Sequence, residues 1–211
     1  MNYTELVSAI KTYCENTETD FTNEIPTFVK QVEDRIFHIV DHLPVFRKGA
    51  TTTVTASSAY LATPSDFIFP YSLAVLTGTT TTYLLNKDVT FIRAAYPDAS
   101  VEGEPVYYAL WDDNTFIMAP TPDTMYTAQI DYTYKPTSIV TASTSWLGDN
   151  AESCLLYGCL VEAYTFMKGE DDLIKLYMGR YQEALERLKV LADAHVRKDA
   201  YRAGQIRRAE A

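Results

Sequence analysis

The chain has 211 residues, a formal net charge of −10, and 47% hydrophobic and 22% charged residues. This composition is typical of a globular protein that buries a core without disulfides or a structural metal. The acidic balance argues against a protein that grips nucleic acid, since phosphate-binding surfaces need clustered Lys and Arg. No apolar run approaches the ~20 residues of a membrane span, and the first residues lack the basic and apolar regions of a signal peptide. We therefore expect a soluble protein that is made in the cytoplasm.

Helical periodicity in residues 1–48 predicts two helices. Asn2 and Glu5 are placed to form a capping box for the first helix. The second helix is expected to start at about Ile25 with Pro26 in its first turn, where the missing N–H of proline costs nothing. Pro44 is expected to follow its end.

From residue 49 to residue 136 the composition changes to that of strands and turns, rich in threonine, valine and aromatic residues. Residues 126–134 alternate strictly, with tyrosines on one face, as in an antiparallel strand that packs on one side. A short helix capped by Asn86 is expected between the strands. The threonine runs 51–55 and 79–82 are expected in edge strands or loops.

Residues 137–145, rich in serine and threonine, are expected to link the β-rich segment to two further helices. The third helix is expected to end at Gly169, a common C-terminal stop. The fourth helix carries Glu183 and Arg187 at a spacing that favours an ion pair on its outer face.

None of the four helices can bury its apolar face alone. We therefore predict an α+β fold, in which a four-helix body is interrupted by an antiparallel β-rich insertion. The predicted segments are the first half of the body at 1–48, the insertion at 49–136, the second half at 137–198 and a basic C-terminal arm at 199–211.

The adjacent carboxylates Asp112 and Asp113 lie between two aromatic runs. A glycosidase needs its two carboxyl groups about 5–10 Å apart, on opposite sides of the scissile bond. Asp-Asp-Asn instead has the chemistry of a hairpin turn. We interpret the pair as a hairpin tip whose charges keep it soluble or meet a neighbouring subunit.

Three histidines raise the question of a metal site. His38 and His42 have the i,i+4 spacing of two ligands on one helix face, and His195 is the third. The Glu of the zinc-protease motif is missing, and histidines are also favoured near helix C-termini by the helix dipole. A helix-bundle metal-binding protein stays open as an alternative, but we assign no metal and no cofactor.

Motifs that carry catalysis are absent from the sequence: it has no GxSxG, no P-loop and no GxGxxG. Cys14, Cys154 and Cys159 form no CxxC pair and are expected to be reduced, apolar core residues. We therefore assign no catalytic residue and do not expect an enzyme.

The C-terminal arm is basic and carries hydrophobic anchors between its charges. It is either a solvated helix end or a segment that docks into a partner, because anchored charges suit an interface. The candidate docking residues are Arg197, Lys198, Tyr201, Arg202, Ile206, Arg207 and Arg208.

Several short motifs follow one another in a recognisable order. They are Ile25-Pro26-x-Phe28-Val29, Val32 to Ile36 (VEDRI), Leu61-x-x-Pro64-x-Asp66-Phe67, Pro105-x-x-Tyr108-Ala109, Pro120-x-Pro122-Asp123 with Tyr126 and Tyr132, and Trp146-Leu147 before Leu155 to Gly158 with Leu160, Glu162 and Ala163. In their order and spacing, over nearly the whole chain, they resemble those of the adaptor, or head-to-tail connector, proteins of short-tailed bacteriophages.

The resemblance implies a structural virion protein that forms a dodecameric ring, joins the portal to the tail nozzle and surrounds part of the DNA channel. It also implies that the helical body packs side by side in the ring and that the C-terminal arm reaches into the portal. An acidic body suits a channel through which DNA slides without specific binding, because like charges repel. The β-insertion is expected to face neighbouring subunits and the tail, with contacts at Asp112, Asp113, Tyr126, Tyr132 and Tyr134.

A β-domain that recognises a tail component or a receptor glycan stays open as a second alternative. In that case the tyrosines and Trp111 would be exposed platforms.

Overall fold

The computed structural model describes residues 1–40 and 43–197, with the backbone alone for 193–197. Over these ranges the fold is α+β, as predicted, with seven α-helices and two four-stranded sheets. The helices are α1 (Tyr3–Cys14), α2 (Thr19–Val40), α3 (Val89–Ala95), α4 (Ile139–Ala142), α5 (Trp146–Asn150), α6 (Glu152–Phe166) and α7 (Asp171–Arg197). The strands are β1 (Arg47–Val54), β2 (Tyr60–Ala62), β3 (Phe67–Thr77), β4 (Thr80–Tyr83), β5 (Leu85–Asn86), β6 (Tyr107–Asp112), β7 (Thr115–Ala119) and β8 (Tyr126–Tyr134).

The chain divides into two compact units. The helical unit comprises Met1–Pro44 and the residues from Thr137 onward, and the β-rich unit comprises Val45–Pro136. The β-rich unit contains all eight of the strands above, and its first strand begins at Arg47, two residues before the predicted insertion.

Helix α6 is the centre of the helical unit, where it contacts α1, α2, α5 and α7. Its Leu155, Cys159 and Leu160 are fully buried, as expected for a helix that is apolar on every side. Gly158 permits close packing, since a Cβ there would lie 2.5 Å from Cγ1 of Val32 and 3.1 Å from the Tyr181 ring.

The two N-terminal helices confirm one prediction and correct another. The capping box of α1 is present, since the Asn2 side chain accepts the Glu5 N–H and the Glu5 side chain accepts the Asn2 N–H, both at 2.9 Å. Helix α2, however, begins at Thr19, so Pro26 lies inside it rather than in its first turn. The buried Phe21 explains the earlier start, because its contact with the core offsets the hydrogen bond that proline cannot make.

The serine- and threonine-rich link contains the short helix α4 and the N-cap of α5. Ser138 caps α4 by accepting the Val140 N–H at 3.2 Å, and Ser145 caps α5 by accepting the Gly148 N–H at 3.1 Å. These serines therefore begin short helices, as their N-cap preference allows.

The end of α6 also differs from the prediction. The helix ends at Phe166, and Lys168 rather than Gly169 adopts the left-handed conformation, with a φ of 54°. Gly169 is needed for space, because a Cβ there would lie 2.7 Å from the Tyr164 ring.

The β-rich unit consists of two sheets. Sheet A has the order β1-β8-β3-β4 and is antiparallel throughout; sheet B has the order β2-β7-β6-β5, with a short parallel pair between β5 and β6. Apolar side chains of both sheets form one buried core, including Leu73 and Ile130 from sheet A and Tyr108, Phe116 and Met118 from sheet B. The unit is therefore a β-sandwich.

Helix α3 packs on sheet B through a second small core, in which Ile92 meets Ala109, Ile117 and Ala119. Its N-cap is Asp88, whose carboxylate accepts the Thr90 N–H at 2.7 Å, and not the predicted Asn86. Asn86 instead lies in β5.

Candidate assembly surfaces

The hairpin tip predicted from Asp-Asp-Asn joins β6 to β7. Asp112 lies opposite Thr115, and its Oδ1 accepts the Asn114 N–H at 2.8 Å. Asp112, Asp113 and Asn114 are all exposed. The turn interpretation is therefore confirmed, while contact with a neighbouring subunit or the tail stays a prediction for both carboxylates.

An exposed aromatic cluster lies beside this tip. The Trp111 ring centroid is 6.0 Å from that of Tyr60, and the Arg93 guanidinium carbon lies 4.4 Å from the Trp111 ring. Tyr60 and Trp111 are 49% and 39% exposed, although their rings contact each other. Such a cluster offers apolar area together with a cation held on a ring face. We call Tyr60, Trp111 and Arg93 the tip cluster.

The tip cluster was only partly visible in the sequence. Trp111 stood out as an aromatic residue beside the acidic pair, but Tyr60 comes from β2 and Arg93 from α3. The strand order β2-β7-β6 brings the first of these close, and the packing of α3 on sheet B brings the second.

The predicted contact tyrosines of β8 lie on the core side of sheet A. Tyr126 and Tyr132 are 8% and 1% exposed, and Tyr134 is partly buried. The Tyr126 hydroxyl donates to Asp123 at 2.6 Å, and this hydrogen bond raises the pKa of Tyr126 to about 12. Since Tyr126 and Tyr132 leave almost no surface for a neighbour, we assign them to the core of the unit.

Asp66 is the centre of a polar network that ties sheet A together. Its Oδ2 lies 2.6 Å from the Lys48 ammonium in β1, and its Oδ1 accepts the Tyr132 hydroxyl of β8 at 2.7 Å. The hydrogen bond from Lys48 holds the pKa of Asp66 below its ordinary value. The next residue, Phe67, packs edge-on against Phe116 of sheet B at 5.3 Å. The Pro-x-Asp-Phe motif thus links β1, β8 and the core.

A cleft of about 370 Å³ lies on sheet A. In it the Arg47 guanidinium carbon sits 4.1 Å from the Tyr71 ring centroid, and Ser72 donates a hydrogen bond of 2.9 Å to Asp131. The cleft offers a cation and a carboxylate within one small surface. The lining residues are Arg47, Lys48, Gly49, Tyr71, Ser72 and Asp131.

A second cleft, of about 380 Å³, lies in the helical unit between the start of α6 and α7. Its wall combines the carboxylates of Asp149 and Glu152 with Leu188 and Leu191 of α7. The amino terminus of Met1 lies 3.9 Å and 3.7 Å from those two carboxylates. Both clefts are shallow surface features that suit protein side chains better than an enclosed ligand.

Most of the remaining candidate residues are not among the residues that the structure describes. Arg197 ends α7 as a backbone position, and the rest of the basic arm, Lys198 to Arg208, falls outside the described residues. The metal hypothesis has the same limit, because His42 is not described and of His195 only the backbone is. Within the described part of the chain, no group of three metal-ligating side chains occurs.

No helix within residues 1–40 and 43–197 is both long and apolar enough to cross a membrane.

The family model described as SU10 adaptor protein matches residues 1–208 of the chain. The chain belongs to the SU10 adaptor protein family. This confirms the resemblance to phage head-to-tail adaptors, and it makes the protein a structural phage adaptor of the virion neck. SU10 adaptors are not a class of enzyme, and the family implies association with portal and tail components. No curated protein matches the chain.

Within this SU10 adaptor, the motifs that carried the resemblance are mainly packing positions. Phe28, Leu61, Tyr108 and Leu155 are buried, and Asp66 holds the network described above. The motifs that indicated the family therefore consist mainly of buried core residues. Core residues do not show which surfaces contact other proteins.

Proposed function

We propose that this SU10 adaptor forms a dodecameric ring that joins the portal to the tail nozzle and surrounds part of the channel used in DNA ejection. The observation that carries the proposal is the family match over residues 1–208. The division into a helical unit and a β-rich unit supports it, since an adaptor needs separate surfaces for different partners.

In this proposal the long helices α1, α2, α6 and α7 form a four-helix body that packs side by side in the ring. Packing around α6 supports such a body, because α6 contacts the other three. The β-rich unit then meets neighbouring subunits and the tail nozzle through its exposed features, the carboxylates Asp112 and Asp113 and the tip cluster.

Portal docking is assigned to the basic arm. Arginines interleaved with Tyr201 and Ile206 supply both charge and anchors. The test is co-sedimentation of the adaptor with the purified portal of the same phage. We expect deletion of residues 199–211 to abolish co-sedimentation while the far-ultraviolet circular dichroism of the described fold stays the same.

Two full-length variants separate charge from anchoring in the same assay. Replacing Arg202, Arg207 and Arg208 by Gln should weaken docking most strongly at low salt, where charges are least screened. This variant should therefore lose the salt dependence that wild type shows. Replacing Tyr201 and Ile206 by Ala should weaken docking at every salt concentration. Docking that survives deletion of the arm would refute the assignment.

The channel role rests on charge. The chain has a net charge of −10, so the assembled ring is expected to repel the DNA backbone. We expect no shift of duplex DNA in a gel at low salt, where any electrostatic binding would be strongest. Tight binding that weakens steeply with salt would contradict a sliding channel.

The tip cluster favours one second candidate function, recognition of a glycan or tail component by the β-rich unit. Exposed rings such as Tyr60 and Trp111 are suitable stacking platforms. A glycan-binding screen with wild type and Trp111→Ala distinguishes the two functions, since the adaptor proposal predicts no Trp111-dependent glycan signal.

A further inference from the structure

Sheet A ends in two open edges. Within the residues that the structure describes, β1 pairs with β8 alone and β4 pairs with β3 alone. An edge strand presents a row of unpaired N–H and C=O groups, which are a template for pairing with another strand. The question is what satisfies these groups in the assembled virion.

The backbone groups that point outward from β4 follow from its ladder. Leu84 donates its N–H to the Leu73 carbonyl at 2.8 Å, so this residue bonds toward β3. Because antiparallel residues alternate in the direction of their hydrogen bonds, Thr81 and Tyr83 direct their N–H and C=O groups away from the sheet. Both side chains are exposed.

The same alternation carries across the sheet to β1. Ala74 of β3 lies opposite Gln129 of β8 and bonds to it, because the neighbour of Ala74 bonds to β4. Thr52 of β1 therefore bonds to β8, and Thr51 and Thr53 direct their backbone groups outward. The outer sides of β1 and β4 therefore both present unpaired backbone N–H and C=O groups.

Part of each edge lacks the features that usually protect a free edge, and the charged residues of β1, Arg47 and Lys48, lie at its opposite end. Residues 50–54 of β1 and residues 80–83 of β4 contain no charge and no proline. The register shifts of sheet A lie between β3 and β8, in its interior, whereas β1 pairs with β8 without interruption. Free edges are normally blunted by charges, prolines or bulges, so residues 50–54 and 80–83 have the properties of edges that become paired.

We propose that β4 of one copy pairs antiparallel with β1 of the next copy, so that sheet A continues from subunit to subunit. This inference rests on the proposed ring and names the contact that closes it. The four strands alternate in direction, so β1 and β4 run oppositely, and joining them continues the antiparallel pattern while every copy keeps the same orientation.

The symmetry of the contact separates it from the simplest alternative. A β4–β1 contact joins two different surfaces, and such a heterologous contact closes into a ring when the rotation is right. A β1–β1 contact would be two-fold and would end at a dimer. The threonine runs of the two edges also face each other, and cross-strand threonine pairs stabilise antiparallel strands.

The proposed test removes one outward N–H from each edge. Thr53→Pro acts on β1 and Thr81→Pro acts on β4, and both are tolerated by the fold because proline is accepted in an edge strand where its N–H would face solvent. Thr53→Val and Thr81→Val keep the N–H and serve as matched controls. Each variant is mixed with portal, and ring formation is counted by electron microscopy.

The expected result is that both proline variants keep the wild-type circular dichroism and melting temperature as free protein but form at least tenfold fewer rings, while both valine variants form rings. Thr52→Pro checks the strand assignment, since its N–H belongs to the ladder and its loss should lower the melting temperature. An equal melting temperature for the proline variants at 52 and 53 would overturn the assignment.

Mixing the two proline variants sharpens the test. Each retains one intact edge, so the mixture should form a heterodimer through one intact β4–β1 contact, while each variant alone stays monomeric.

Rings formed by the proline variants at the wild-type level would overturn this inference and leave the proposed function standing. Failure of wild type to form rings would instead refute the proposed function, and this contact with it. Loss of rings in the valine variants would show that hydroxyl groups rather than the backbone make the contact, which also contradicts the proposal.

Discussion

The two units of this SU10 adaptor differ in where they leave apolar side chains. Of the sixteen large apolar side chains that are exposed among the described residues, eleven lie in the β-rich unit and five in the helical unit. In the helical unit, the other helices pack their apolar residues around α6. The β-rich unit keeps aromatic rings such as Tyr60, Tyr83 and Trp111 at its surface, where they offer apolar contact area.

From this difference we expect stability and assembly to be separable in this chain. Buried residues of either unit should change folding, whereas exposed residues of the β-rich unit should change assembly with little effect on folding. The predictions below test this separation in order of expected effect.

The largest effect is expected from a core truncation in the β-rich unit. Phe116 is fully buried where the two sheets meet and contacts the rings of Phe67 and Tyr108. Phe116→Ala should lower the free energy of unfolding by about 3–5 kcal/mol. Chemical denaturation followed by circular dichroism measures it, and Trp111→Ala on the adjacent surface is the control, with a loss well below that of Phe116→Ala. Equal losses would contradict the assignment of one ring to the core and the other to the surface.

A glycine pair tests the packing of the helical unit. Gly158→Ala places a methyl 2.5 Å from the Val32 side chain and should destabilise the protein by about 1–3 kcal/mol. Gly179→Ala in α7 meets nothing within 4 Å and should stabilise it by about 0.5–1 kcal/mol, because alanine favours a helix over glycine. Melting temperatures measure both. If both variants raised the melting temperature, helix propensity rather than the contact with α2 would determine the effect of alanine at Gly158.

The Asp66 network should have an intermediate effect that depends on pH. Asp66→Ala leaves the buried Tyr132 hydroxyl without its acceptor, at a cost of about 1–3 kcal/mol. The lowered pKa of Asp66 stabilises the fold fully above the unfolded value of about 3.9, and this contribution is lost as the pH falls through the lower folded pKa. Wild type should therefore lose more stability than Asp66→Asn between neutral pH and about pH 3. Parallel pH profiles for the two proteins would rule the network out as a source of acid sensitivity.

The smallest effect on folding is expected at the hairpin tip. Asp113 is exposed, so Asp113→Asn should change the free energy of unfolding by no more than about 0.5 kcal/mol. Loss of the charge should weaken binding to the tail nozzle, and a binding titration with and without added salt measures it. Unchanged affinity would remove Asp113 from the tail surface.

Some local features of the fold could be predicted, whereas others, such as the N-cap of α3, and the long-range features could not. The capping box of Asn2 and Glu5, the turn at Asp112 to Asn114 and the Glu183–Arg187 pair at 2.5 Å all depend on neighbours within four residues. The start of α2 was missed because burial of Phe21 outweighs the position of Pro26. A periodic apolar pattern identifies the buried face of a helix or strand, but it does not show which other element packs against that face.

The candidate surfaces show the same limit. The alternation of β8 correctly put its tyrosines on one face, but only the pairing of two sheets shows that Tyr126 and Tyr132 are buried. The threonine runs were correctly expected at edges, and both edges of sheet A contain one. The tip cluster joins residues 60, 93 and 111, which no local pattern connects.

Electron microscopy of the adaptor mixed with its portal tests the central claim most directly. The account predicts a ring of twelve adaptor copies stacked on the portal and sharing its axis. Monomers that remain free, or single copies bound to the portal at scattered positions without contact between neighbours, would contradict it.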